Sequence, residues 1–271
     1  METLVNTIAL STVFTFGACI GSFLNVVVYR IPAGISLISP PSRCPICFHR
    51  LGNTENVPIF GWLWLRGRCR WCQTSISSRY PLIEAITGTI FILVFLQFGY
   101  SIETLGYWAF LSWLLSLSLI DLDTMTLPAS LTKSGLVLGL VFQGIVGWQI
   151  AEGKGIANQL MFGIGGAVLG IWLLEIIALV GSIMLGQQAM GDADGKLMAT
   201  IGAWIGWKYV LVSSFIAFGI GSIIGGGAIA LGLLNKKQPM PFGPFLALGG
   251  ALTLFCGEAI INTYINTLFV F

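Results

Sequence analysis

Eight apolar stretches occupy most of this chain, at about 4–29, 82–100, 104–120, 128–150, 158–184, 196–211, 212–234 and 245–268. A helix needs about 20 mostly apolar residues to cross a hydrocarbon core of roughly 30 Å. Runs of this length predict membrane-spanning helices, and the backbone must then satisfy its own hydrogen bonds within each segment. Only 9% of the 271 residues are charged and 56% are hydrophobic, with a mean hydropathy of +0.89. A soluble globule has about 25% charge. Disorder, collagen and small disulfide scaffolds are excluded by the same composition. A membrane β-barrel would alternate in segments of about ten residues, and this chain does not. The expected fold is all-α and polytopic, with about eight transmembrane helices and a polar loop after the first. The division of 197–234 into two spans rests on length and on Trp207-Lys208-Tyr209 as an interfacial hinge.

The few charges orient the bundle. With the amino terminus outside, the inner loops hold Arg30, Arg43, Arg50, Arg66, Arg68, Arg70 and Arg79 together with Lys133, Lys196, Lys236 and Lys237. Only Lys154 and Lys208 fall outside. That asymmetry obeys the positive-inside rule and places 31–80 in the cytoplasm. The expected organisation is a first helix (1–30), a cytoplasmic loop (31–80) and a helical bundle (81–271). Nothing in it points to nucleic acid.

Within the loop, Cys44-Pro-Ile-Cys47 and Cys69-Arg-Trp-Cys72 form two C-x2-C pairs. Each pair spaces two thiolates as tetrahedral zinc accepts, and together they supply four ligands. A reducing cytosol disfavours two disulfides. The expected zinc is structural, because a closed four-thiolate site leaves no coordination position for chemistry. Cys19 and Cys256 are read as packing residues, and His49 as an exposed loop histidine.

Carboxylates at membrane depth are costly and begin as functional hypotheses. Asp121 and Asp123 end the third span, while Asp192 and Asp194 open the sixth at the same face. Two carboxylates sharing a proton perform aspartic proteolysis. The competing reading makes Asp192 or Asp194 a helix cap. Glu175 and Glu258 are expected deeper in the fifth and eighth spans, as a proton path or as interhelical hydrogen bonds. Glu55 is expected to be solvated. Gly163-x-Gly165-Gly166 and Gly225-Gly226-Gly227 are read as close helix contacts.

Taken in order, Gly21-Ser22-Phe23-Leu24-Asn25, Ser42-Arg43-Cys44-Pro45-x-Cys47, Arg66-Gly67-x-Cys69-x-x-Cys72, Tyr80-Pro81-Leu82-Ile83-Glu84, Ile120-Asp121-Leu122-Asp123 and Lys196-Leu197 resemble the bacterial type IV prepilin peptidases over essentially the whole chain. The resemblance implies an enzyme of the bacterial cytoplasmic membrane that removes the basic leader of prepilins or pseudopilins. It also implies N-methylation of the new terminus with S-adenosylmethionine. Carried over by motif, the catalytic aspartates fall on Asp121 and Asp194, and Glu84 becomes a candidate for the methyl-donor site. The family's GxGD motif is here Gly191-Asp192-Ala193-Asp194, with alanine for the second glycine, and Ala129 stands where the family commonly has Asp. A transporter or channel using the intramembrane acids, and a non-catalytic assembly scaffold, are the alternatives.

Overall fold

A computed structural model describes residues 2–186, 190–233, 235 and 240–269. It is helical, and among the described residues the only β-pairing is two isolated bridges. The helices are α1 (Glu2–Arg30), α2 (Phe60–Trp64), α3 (Arg79–Phe98), α4 (Ile102–Thr124), α5 (Ala129–Leu185), α6 (Asp192–Ile205), α7 (Trp207–Ala230) and α8 (Gly243–Phe269). Seven segments among the described residues are long and apolar enough to cross a membrane. The chain is a multi-pass membrane protein. It divides into two compact units, Met1–Ser112 and Trp113–Phe271.

In the first unit α1 and α3 cross closely, because small residues let the backbones approach. A side chain on Gly17 would meet the Gly88 Cα at 2.9 Å, and one on Gly21 the Glu84 Cα at 2.8 Å. Trp108 on the first half of α4 stacks on Phe91 with ring centroids 4.8 Å apart, and its indole N–H donates to the Phe91 carbonyl. The loop between α1 and α3 starts from Arg30, whose guanidinium donates to the carbonyls of Ser36, Leu37 and Pro40.

In the second unit α5 is recorded as one helix of 57 residues, yet it contains two spans, Ala129–Ile150 and Gly153–Met184. A straight helix would hold positions 147 and 155 about 12 Å apart. Instead a Cβ at Gly147 would lie 2.7 Å from the Ile156 Cα, so the helix folds back on itself there. The two arms embrace α6. Thr200 donates to the Thr132 carbonyl (3.0 Å), Trp204 to the Gly135 carbonyl (2.8 Å), and the Gln143 amide to the Trp204 carbonyl (2.9 Å). Gly166 and Gly202 meet backbone to backbone with no room for a side chain on either.

The expected sixth span differs from the structure. α6 has 14 residues, about 21 Å of helix, short of the roughly 30 Å core. Eleven of them are buried. The break with α7 falls at Gly206 (φ 79°), not near 211, because that left-handed geometry suits glycine and a side chain there would strike the Phe162 ring. Lys208 lies over the Trp207 ring as the first turn of α7 begins. Lys236 and Lys237, which entered the charge argument, lie outside the described residues.

Candidate functional sites

The cysteine loop, wholly within the first unit, is built from two copies of one turn. In each, the first cysteine's N–H donates to a carbonyl five residues on: Cys44 to His49 at 2.9 Å, Cys69 to Thr74 at 2.8 Å. The fourth residue after that cysteine, Phe48 or Gln73, takes φ 58° and donates back to the cysteine carbonyl. The bridges Arg43–Arg50 and Arg68–Ser75 close the two turns at the same offset. The residues around the cysteines differ between the two turns, so the backbone repeats where the composition does not.

The two turns bring all four sulfurs within 4.8 Å of one another. Cys44 Sγ lies 3.7 Å from Cys72 Sγ, and Cys47 Sγ 3.9 Å from Cys69 Sγ. A tetrahedron with zinc–sulfur arms of about 2.3 Å has edges of about 3.8 Å, so the donor set fits zinc. Backbone N–H groups of Cys47 and Ile46 pull the Cys44 thiol down to about 6. Cys47 is pushed up to about 11 by desolvation and by its fellow thiols, despite the His49 N–H on its sulfur. Four thiolates this close cannot all ionise unaided, and a divalent cation removes the conflict. His49 is exposed and lies against Trp71, with ring centroids 4.1 Å apart and the planes inclined at 38°.

Two acids in this unit hold the loop. Glu55 was expected to be solvated, but its side chain is only 9% exposed; it accepts from the Gly52 N–H and pairs with Arg70 at 3.8 Å. Short-range hydrogen bonding of this kind leaves no trace in spacing. Glu84 is 7% exposed beside the α1–α3 crossing. It accepts the Ile59 N–H at 2.6 Å and a hydrogen bond from Ser22. Ile59 takes φ 63°, a rare conformation for a β-branched residue, which the Glu84 bond helps retain.

The aspartates belong to the second unit. Asp121, one turn before the end of α4, is 5% exposed, and its Oδ2 accepts the N–H of Gly243, the first residue of α8, at 2.9 Å. An N–H at the positive end of a helix is a suitable partner for a carboxylate. No room remains for a side chain at 243, since a Cβ would sit 2.7 Å from that oxygen. Asp194 lies in the first turn of α6, outside the seven spans, and is 9% exposed. Burial pushes its carboxyl up to about 6, and the charge of Asp121 adds to the rise; the two therefore sense each other.

Neither acid is the N-cap residue of α6, although the Gly191 N–H reaches back to the Asp194 carboxyl and opposes its rise. The N-cap of α6 is Gly191, with no side-chain hydrogen bond, and the Asp194 N–H donates to the Gly191 carbonyl at 3.2 Å. Asp192 is exposed and faces different surroundings, a cavity of about 240 Å³ lined by Glu175, Leu174, Ser182, Met190 and Gly191 among others. Ala193 stands within α6, where helical φ accepts alanine freely, so the missing second glycine imposes no backbone conflict. Glu175 and Glu258 lie within their spans, Gly153–Met184 and Gly243–Thr267, but both face outward from the helices packed around them. Cys19 and Cys256 are exposed as well, so neither packs inside the bundle. Gly163 and Gly166 make the close contacts expected of them, whereas Gly226 and Gly227 face open space.

Fold and site together define a polytopic membrane protein with two buried aspartates at helix ends and a loop folded around four thiols. Comparison with known proteins is decisive about its kinship. Residues 15–98 match the bacterial peptidase A24 N-terminal domain and residues 108–226 the type IV leader peptidase family. Relatives described as prepilin leader peptidase/N-methyltransferase occur in Aeromonas salmonicida (35% identical, covering 95% of this chain and 94% of the relative) and Burkholderia pseudomallei (36%, covering 92% and 85%). Another, in Neisseria gonorrhoeae, is 35% identical over 90% of this chain and 89% of its own. No solved structure matches. The chain belongs to the type IV leader peptidase family.

Proposed function

We propose that this protein cleaves the leader peptides of type IV prepilins or pseudopilins and N-methylates the terminus so exposed, as the names of its full-length relatives indicate. The observation that carries the proteolytic half is the burial of two carboxylates in the same unit, Asp121 near the end of α4 and Asp194 at the start of α6, 5% and 9% exposed. In the substrate-bound dyad we assign the shared proton to Asp194. Asp121, facing the Gly243 N–H, is the ionised member. A water hydrogen-bonded to Asp121 adds to the scissile carbonyl and gives its proton to that carboxylate, while Asp194 protonates the carbonyl oxygen. The tetrahedral intermediate then collapses: the C–N bond breaks and the departing nitrogen takes a proton from the dyad. No acyl-enzyme forms.

In this reading the protein lies in the bacterial cytoplasmic membrane with its amino terminus outside and the cysteine loop in the cytoplasm, as the arginine distribution requires. Zinc on Cys44, Cys47, Cys69 and Cys72 folds the loop and supplies no chemistry. The methyl donor is S-adenosylmethionine. Glu84 does not fit as its direct ligand, because the carboxylate is buried and already engaged by Ile59 and Ser22. We assign Glu84 to holding the 56–60 segment in place. A transporter reading gains nothing from Glu175 and Glu258, which are exposed on their helices.

One incubation tests both halves. Purified protein in lipid meets a prepilin peptide with and without S-adenosylmethionine, and mass spectrometry follows the products. Leader loss, and a gain of about 14 Da (one methyl replacing one hydrogen) only with the donor, are expected. Normal cleavage by both Asp121→Asn and Asp194→Asn overturns the dyad.

A further inference from the structure

We propose that α2 is a membrane-surface anchor: its Phe60, Leu63 and Trp64 bed in the headgroup layer of the leaflet that α1 and α3 enter, and the arginines around it select anionic lipid. The inference is independent of the catalytic reading.

Positions 60, 63 and 64 share one face of a helix. They are 70%, 55% and 88% exposed, an unusual concentration of large apolar surface on five residues. The opposite side is fully committed to the loop. Gly61 is buried against the Glu55 backbone, which a side chain would strike, and the Trp62 indole N–H donates to the Ile76 carbonyl at 3.0 Å. The outward face therefore supports nothing within the loop that presents it. Helices with Trp, Phe and Leu outward and basic residues alongside settle in the plane of a membrane interface.

Depth follows from the Ile59–Glu84 bond. Glu84 stands five residues after Arg79, the first residue of the α3 span, about 7.5 Å along its axis. Ile59 is fixed to that level at 2.6 Å, and Phe60 is its neighbour. A helix of five residues is itself only about 7.5 Å long, so α2 cannot leave the membrane surface.

Charge identifies the occupant. Between 31 and 80 the chain has six arginines (Arg43, Arg50, Arg66, Arg68, Arg70, Arg79) and a single acid, Glu55. All six arginines are exposed, and Glu55 pairs with Arg70. Arg66 and Arg68 follow Trp64 within four residues. Such clusters are attracted to anionic headgroups within a Debye length of the surface.

The test uses full-length protein labelled with 5-fluorotryptophan in nanodiscs, with Trp64→Phe assigning the Trp64 resonance by its disappearance. A lipid-borne nitroxide near the headgroup should broaden that resonance more than a water-soluble gadolinium chelate does. Replacing phosphatidylcholine by phosphatidylglycerol should strengthen the lipid effect about twofold, and Arg66→Gln with Arg68→Gln should cancel that gain. Broadening by the aqueous probe alone overturns the anchor. Protection from both probes assigns the face to a protein contact and overturns it equally. A lipid effect indifferent to headgroup charge and to the arginine variants overturns the selectivity. Unchanged zinc content in each variant shows that the loop is still folded.

Discussion

Asp194→Asn should make this protein more stable at neutral pH while abolishing leader cleavage. Burial first, and the charge of Asp121 second, raise the Asp194 carboxyl from 3.8 to about 6. The native state therefore keeps a proton that the unfolded chain has already released between about pH 4 and 6. Where the native state binds more protons, stability falls as pH rises, so this acid weakens the fold across that window and its full penalty stands above it. A rise of that size corresponds to about 3 kcal/mol, and relaxation around the carboxylate makes this an upper figure. Asparagine has the same shape and no proton to lose. Unfolding in mild detergent, followed by tryptophan fluorescence at about pH 4 and about pH 7.5, measures the difference. The variant should equal wild type at the lower pH and exceed it by one to three kcal/mol, roughly, at the higher. A variant equally destabilised at both pH values would refute the argument, since it would make Asp194 a structural hydrogen-bonding residue.

Three further outcomes follow from the geometry. Gly243→Ala puts a methyl against the Asp121 oxygen and removes the approach of its N–H; cleavage should fall at least about tenfold with the melting temperature little changed. Cys47→Ser with Cys72→Ser should lower bound zinc from one ion per chain to none by elemental analysis, and hydrogen exchange across 42–76 should rise sharply. Gly202→Val must part the Gly166 and Gly202 backbones, and thermal unfolding should register a loss of about 2 kcal/mol.

Residue spacing made much of this legible. The two C-x2-C pairs announced a four-sulfur cluster. Hydropathy could not reveal that α6 is too short to span, because Gly206 interrupts an apolar run without altering its apolarity. The same blindness hid the fold-back of α5: Gly147 and Gly155 look like ordinary small residues until their backbones meet. Glu55 and Glu84 were misjudged or underdetermined for a different reason. Their partners are backbone N–H groups of Gly52 and Ile59, and every residue but proline offers one. Motif register already favoured Asp194 over Asp192, and burial adds a difference that spacing could not show, Asp194 being buried and Asp192 exposed.

The duplicated turns of the cysteine loop would make a bound metal a clasp on everything between them. Neither turn can hold an ion alone, having two sulfurs each, so a zinc bound by all four would close a ring of chain from Cys44 to Cys72. That ring contains Glu55, Ile59 and all of α2. Loss of the ion would therefore register far from any sulfur, at the carboxylate of Glu84, which would lose the Ile59 N–H when the ring opened.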